Sequence, residues 1–62
     1  MYIVQRTTDR KHCGRELVSL PSIGDRITLS PRFSFLAEQV MPVANGNYIV
    51  ACSTYVIEIR EE

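Results

Sequence analysis

The chain has no tryptophan, two cysteines and a single histidine among its 62 residues. Its longest nearly continuous apolar stretch, residues 48–59, is interrupted by polar residues and is too short to span a bilayer. No basic segment followed by an apolar core opens the chain, so we expect a cytoplasmic protein without membrane association. Because secreted chains of this size usually carry about four to eight cysteines, Cys13 and Cys52 are expected to be free thiols.

Groups that could carry chemistry are also scarce. Cys-x-x-Cys spacing is absent, and Gly14, Gly24 and Gly46 are isolated turn residues rather than a phosphate-binding loop. His12 and Cys13 are neighbours, but adjacent residues of an extended chain point in opposite directions, and no third group orients the imidazole. The sequence therefore predicts a protein that is not an enzyme and has no metal site and no cofactor.

The formal net charge is zero, but the charges are unevenly placed. Residues 1–32 hold six basic and three acidic residues, whereas residues 33–62 hold one basic and four acidic residues. The longest polar run, residues 8–15, is expected to be an exposed loop. The candidate binding residues in and beside it are Arg6, Arg10, Lys11, His12 and Arg15.

This basic loop indicates contact with phosphates or with an acidic protein surface. Aromatic residues that would stack on bases are not interleaved with the charges, so nucleic acid is the alternative partner rather than the favoured one. A protein partner or a second copy of the chain is favoured, because exposed strand edges invite pairing with another chain. A homodimer would also add the core area that so short a chain lacks.

Sixty-two residues make one small domain, residues 1–62, near the lower limit of what folds without disulfides, metal or a partner. Alternation of apolar and polar residues predicts short strands at 1–7, 16–20, 26–30, 48–52 and 55–59. The residues expected to face the core are Ile3, Val4, Ile27, Leu29, Tyr55, Ile57 and Ile59. Glu58 and Arg60 are expected to face solvent, and residues 61–62 to form a frayed tail.

Residues 31–42 fit two structures. A helix over about 31–41 would begin after Ser30 as N-cap, with Pro31 at its first position and an apolar stripe at helical spacing. A strand would instead place Phe33, Phe35, Ala37, Met41 and Val43 on one face, with Gln39 breaking the pattern at a bulge.

The neighbouring residues favour the strand. Asn45-Gly46 between apolar segments is typical of a hairpin with a type I′ turn, in which both central residues have positive φ. Such a hairpin requires an extended chain before Ala44. Pro42 cannot donate to a ladder, so its strand is expected at an edge of the sheet.

Two passages resemble the SH3-like β-barrel family. Glu16-Leu17 followed by Gly24-Asp25-Arg26-Ile27 is similar to the segment after the family's first long loop, and residues 48–56 are similar to its ending, with a one-turn 3₁₀ break. The resemblance implies a small barrel. It does not imply the family's proline-rich peptide ligand, because tryptophan is absent and Tyr55 is the only counterpart of the groove aromatics.

Together these features predict a mostly β domain, either an SH3-like barrel or a bent antiparallel sheet of five to six short strands. The alternative fold is α+β with one helix at about 31–41. The function expected for it is that of a small non-enzymatic binding or accessory module, acting through protein–protein contact or self-association. Nucleic-acid binding through residues 6–15 is the alternative function.

Overall fold

The computed structural model describes all 62 residues and contains strands without helices. The seven strands are β1 (Tyr2–Gln5), β2 (His12–Leu17), β3 (Arg26–Ser30), β4 (Phe33–Leu36), β5 (Gln39–Pro42), β6 (Tyr48–Ala51) and β7 (Val56–Glu61). The mostly β fold is thus confirmed, with more strands than the predicted five to six. The alternative helix at 31–41 is wrong, and no helix suited to crossing a membrane is present.

All strand pairs are antiparallel. Five strands form one sheet in the order β2-β1-β7-β6-β5, and β3 pairs with β4 in a second, two-stranded sheet. β1, from the start of the chain, lies beside β7, from its end, and the Glu62 N–H donates to the Met1 carbonyl at 3.0 Å. Residue 61 therefore belongs to β7, and the predicted frayed tail at 61–62 is wrong.

A kink between β4 and β5 joins the two sheets. The Ala37 N–H donates to Asp25 beside β3, and the next N–H, that of Glu38, donates to Ala51 of β6, both at 2.8 Å. Consecutive residues of an extended chain bond to opposite sides, so residues 33–42 lie between β3 and β6. The strand interpretation is confirmed. The kink shifts the alternation, so Val40 packs against the core and the predicted inward Met41 is exposed.

The sheet does not close into a barrel. β2 and β3 approach each other, but no backbone hydrogen bond joins them. The result is a bent sheet with an opening between these strands, which we call the seam. Residues 53–54 form a bend, and the 3₁₀ turn implied by the SH3-like resemblance is absent.

The core lies inside the bend. Its buried apolar residues come from both sheets and are Val4, Ile27, Phe35, Ala37, Val50, Ile57 and Ile59. This confirms the predicted inward positions of these residues on β1, β3 and β7, with Leu29 half-buried against the same cluster. Ile3 is buried too, but it pairs with Arg60 and lies on the opposite face of β1 from Val4. Tyr55 is the exception, since it precedes β7 and is more than one-third exposed at 37%.

Glu58 was predicted to face solvent, but it is buried, with 3% of its surface exposed. It does lie on the opposite face of β7 from Ile57 and Ile59, as the alternation requires. That face is covered here, because the Asn47 side-chain amide donates to Glu58 Oε2 and the Arg10 guanidinium lies 3.7 Å from Glu58 Oε1. Alternation identifies the face of a strand but not what covers it.

The first connection is shorter than predicted. Residues 6–11 link β1 to β2, and β2 begins at His12, so the exposed loop at 8–15 is wrong in its second half. The segment 18–20, predicted as part of a strand, lies outside β2. The pairing of β2 with β1 is bulged around Gly14, whose φ is +78°, and β2 is largely exposed. A polar, bulged edge strand has the composition of a loop, which explains the error.

The hairpin between β5 and β6 is confirmed, but its turn is not type I′. The Gly46 N–H donates to the Val43 carbonyl at 3.1 Å, and the Val43 N–H donates to Asn47 at 3.0 Å. Gly46 has a φ of +87°, whereas Asn45 does not have a positive φ. This is the three-residue connection in which an ordinary turn is followed by a glycine in the left-handed region.

We expect Gly46→Ala to lower the free energy of unfolding by about 1–2 kcal/mol, because an alanine Cβ disfavours positive φ. No atom lies within 4 Å of where that Cβ would be, so the cost is conformational rather than steric. Gly46→Asn should cost less, since asparagine tolerates the left-handed region. Urea unfolding of both variants measures the difference, and equal losses would contradict this interpretation.

Candidate interaction surface

The structure spreads the five predicted basic residues over two elements. Arg6, Arg10 and Lys11 lie in the connection after β1, while His12 and Arg15 belong to β2. The connection is tight, because the Arg6 N–H donates to the Lys11 carbonyl at 3.0 Å and the Arg10 N–H donates to the Arg6 carbonyl at 2.9 Å. These residues are exposed, but they do not form one uninterrupted basic loop.

Two of the basic side chains are paired with carboxylates. Arg6 binds Asp9 through both carboxylate oxygens, and the Lys11 N–H also donates to Asp9. The Lys11 N–H is the main cause that holds the pKa of Asp9 below its ordinary value; burial opposes it, and the Arg6 guanidinium lowers the pKa further. The stabilisation from this carboxylate is thus present at neutral pH and is lost as the pH falls through its lowered pKa.

Arg10 reaches the buried Glu58 from a backbone of positive φ, +57°. A non-glycine residue in that region is strained, and the surrounding structure must hold it there. The Arg10 guanidinium therefore offsets the charge of the buried Glu58 carboxylate. Lys11 and Arg15 remain as basic side chains without an acidic partner in this segment.

His12 and Cys13 do not form a reactive pair. The ring of His12 accepts the Gly14 N–H at Nδ1, over 2.7 Å, and Cys13 packs against the core. Both cysteines are free, as expected. No group of three histidine, cysteine or acidic side chains converges on one point.

Cys52 lines the largest cavity, about 470 Å³, between residues 6–8 and residues 52–57. The Thr54 N–H lowers the pKa of the Cys52 thiol, burial opposes this, and the Thr54 hydroxyl, 3.7 Å from Sγ, lowers it further. No base or oxyanion donor set accompanies the thiol, so the arrangement lacks the partners of a nucleophilic site.

A second cavity lies in the seam and brings together residues that the sequence interpretation treated separately. It measures about 280 Å³ and is lined by the end of β2, the connection that follows, and the start of β3. Its apolar walls are Leu17, Val18 and Ile27. Val18 is 84% exposed, and Ile23 in the same connection is 69% exposed. They are the two most exposed large apolar residues of the chain.

The backbone beside this cavity has free hydrogen-bonding groups. The hydrogen bond from Ala37 to Asp25 fixes the phase of the β3–β4 ladder, which continues in register through Thr28. Because hydrogen-bonded and non-hydrogen-bonded pairs alternate along an antiparallel ladder, the peptide groups of Arg26 and Thr28 point away from β4. They point into the seam, where β3 has no neighbouring strand in its ladder.

The other two edges carry features that discourage pairing. β2 is bulged around Gly14, and β5 ends in Pro42, which has no N–H to offer. Because β5 is the last strand of the five-stranded sheet, the predicted edge position of Pro42 is confirmed. β3 is bulged as well, but only at its far end, between Thr28 and Ser30. It also has a charged residue, Arg26, whose guanidinium donates to Ser34 Oγ on β4 at 2.8 Å. The charge is therefore directed inward over the sheet and not across the free edge.

Comparison with known proteins adds no relative, since no protein family, curated protein or solved structure matches this chain. The candidate surface is therefore defined by its own geometry. It consists of the free edge of β3, the seam cavity, and the exposed side chains of Val18 and Ile23. A sequence signal that could have indicated it, and was not used, is the pair of apolar residues Val18 and Ile23 on either side of Pro21.

Proposed function

We propose that this protein is a small non-enzymatic binding or accessory module that acts through protein–protein contact or self-association at the seam. The free edge of β3 carries this proposal. Unpaired peptide groups along a strand bind another extended chain by main-chain hydrogen bonds, and neighbouring pockets accept its side chains. The seam supplies such a pocket, Val18 lines it, and Ile23 adds exposed apolar area in the same connection.

Nucleic-acid binding through residues 6–15 has less support. Binding to phosphates depends on unpaired cations, and the guanidinium groups of Arg6 and Arg10 already lie against carboxylates. Lys11 and Arg15 alone would make few contacts. The small number of free cations therefore favours a protein partner over nucleic acid.

Photo-crosslinking tests the proposed surface. With a photoreactive amino acid at position 18, we expect covalent adducts with a protein, either another protein of the cell or a second copy of the chain. The matched control places the same group at Met41, an exposed apolar position of β5, 45% exposed. Ile23→Asp should reduce the adducts at position 18, because a charge in the connection that borders the seam opposes apolar contact.

Equal adduct yields at positions 18 and 41 would contradict the proposal, as would adducts insensitive to Ile23→Asp. Since Ile23 is largely exposed, its replacement should leave the fold intact. A far-ultraviolet circular dichroism spectrum that matches the parent chain verifies this. Adducts with nucleic acid at Arg15, but none with protein at position 18, would transfer the function to the basic residues.

A further inference from the structure

Beyond the seam, we infer that the face of the five-stranded sheet opposite the core binds a primary ammonium group on a short aliphatic chain, with Glu58 as its counter-ion. Such a group occurs in a lysine side chain and in a free alkylamine. The site is a cavity of about 390 Å³ between the connection after β1 and the turn before β6. It shares no lining residue with the seam cavity, so this site is separate from the proposed function.

The Glu58 carboxylate at this site has one oxygen without a hydrogen bond. Its side chain is 5% exposed, and Oε2 accepts the side-chain amide of Asn47. Oε1 has only the Arg10 guanidinium nearby, at 3.7 Å, which is beyond hydrogen-bond distance. No polar side-chain atom of the protein is both enclosed and without a hydrogen bond, so Oε1 remains open to solvent. Since Glu58 lines the cavity, Oε1 is an acceptor available to a ligand there.

The cation that faces Glu58 is held loosely. The Arg10 side chain is 63% exposed, and its backbone has the strained positive φ of +57°. Arg60, two residues further along β7, donates to Gln5 Oε1 at 3.3 Å and forms no ion pair with Glu58. A buried carboxylate without a close cation is costly, so a better-placed cation is favoured. The Arg10 guanidinium then moves into the solvent that already surrounds most of its side chain.

The acceptors favour an ammonium group over a guanidinium group. A guanidinium binds best to both oxygens of a carboxylate at once, whereas an ammonium is a compact charge with three donors. Because Asn47 occupies Oε2, a single oxygen of Glu58 is left. The Thr7 hydroxyl and the Ala44 carbonyl belong to the cavity lining and accept no hydrogen bond. They are further acceptors for the remaining ammonium protons.

The apolar part of the lining fits an aliphatic chain. Ile49 lies directly opposite Glu58 on β6, so the two side chains share one face of the sheet. Val43 and Ala44 line the cavity from the turn that precedes β6. Methylene groups that lead away from the ammonium therefore pass over apolar side chains, as the stem of a lysine does when its charged end is bound.

Nuclear magnetic resonance titration with n-butylammonium chloride at constant ionic strength tests the site. We expect saturable shifts of the Val43 and Ile49 amides, with a dissociation constant on the order of millimolar for so small a ligand. n-Butanol has the same chain without the charge and should bind at least about tenfold more weakly, because the charged hydrogen bond is lost. n-Butylguanidinium should also bind more weakly. Equal binding of n-butanol or of n-butylguanidinium would overturn the assignment to an ammonium group.

Two variants locate the ammonium group at Glu58. Glu58→Gln removes the charge but keeps the shape and an acceptor for Asn47, and it should raise the dissociation constant of n-butylammonium at least about tenfold. Arg10→Gly removes the competing guanidinium and suits the positive φ. It should lower the dissociation constant by about two- to tenfold, because the site no longer has to release Arg10 first. Far-ultraviolet circular dichroism verifies that both variants are folded.

The source of the ammonium group is distinguished with Nα-acetyl-lysine N-methylamide. Tighter binding than that of n-butylammonium assigns the site to a lysine side chain of a protein, and weaker binding assigns it to a free amine. Absence of saturable shifts in both the parent chain and Arg10→Gly overturns the inference, and so does a folded Glu58→Gln chain that binds as well as the parent. If Glu58→Gln does not fold, the comparison of n-butylammonium with n-butanol on the parent chain decides.

Discussion

Ile57→Ala is expected to remove most of the stability of this domain. The Ile57 side chain is 1% exposed and belongs to the core between the two sheets. Truncating a buried isoleucine to alanine costs about 2–5 kcal/mol, because transfer free energy is lost and a cavity remains. A domain of this size has only about 3–5 kcal/mol from its core. A large fraction of the variant should therefore be unfolded at room temperature.

The adjacent residue provides the matched control. Val56 follows Tyr55 at the start of β7, points to the other face of the sheet and is 42% exposed. Val56→Ala should cost less than about 1 kcal/mol, since little apolar area is lost from a partly exposed side chain. Urea unfolding monitored by tyrosine fluorescence compares the two variants. Similar midpoints for both would mean that β7 does not face the core as described.

Phe35→Ala should destabilise the protein by about 3–5 kcal/mol, the usual cost of emptying a buried aromatic site. Phe35 is 7% exposed, and its ring centroid lies 5.5 Å from that of Tyr55. Tyr55 belongs to the bend before β7, whereas Phe35 belongs to the two-stranded sheet. This contact packs the two-stranded sheet against the segment that leads into β7. Its loss should therefore weaken the packing between the two sheets.

Phe33 serves as the control for Phe35, because it contacts the same tyrosine from a more exposed position. Its ring is 4.6 Å from Tyr55 in an edge-to-face arrangement, and the residue is 38% exposed. Phe33→Ala should cost about 1–2 kcal/mol, from one aromatic pair and partial burial. Thermal unfolding should rank Phe35→Ala well below Phe33→Ala. The reverse order would contradict the placement of Phe35 in the core.

Local patterns were sufficient to predict most of the strands. Two-residue periodicity placed Ile27 and Ile57 in the core, and the Asn45-Gly46 pair predicted the β5–β6 hairpin. These signals are local, because alternation and turn composition follow from the geometry of a few consecutive residues. The structure confirms them for that reason.

The wrong predictions concern contacts between segments that are distant in sequence. Glu58 is buried because the connection after β1 and the turn before β6 cover it, and neither is close to it in sequence. The kink at Ala37 shifts the alternation of the residues that follow it, so Met41 points outward. Barrel closure likewise depends on whether β2 and β3 meet, which no short window of sequence determines.

The candidate surface was predicted only in general terms. An exposed strand edge was expected, but the sequence does not say which edge remains open. Pro42 marked β5 as a protected edge, whereas the bulge that protects β2 became clear only from its register with β1. The unpaired peptide groups of Arg26 and Thr28 are a property of the three-dimensional ladder. The sequence predicted the basic residues as the binding site because charge can be identified from residue types. A strand that lacks a neighbouring strand cannot be identified in that way.

Amide hydrogen exchange followed by nuclear magnetic resonance tests the central claim most directly. The amide of Ile27 bonds within the β3–β4 ladder and should be protected at every protein concentration. The amides of Arg26 and Thr28 point away from β4 and should exchange rapidly in dilute solution, where no other chain occupies the edge of β3. Protection of these two amides equal to that of Ile27 in dilute solution would contradict the free edge of β3.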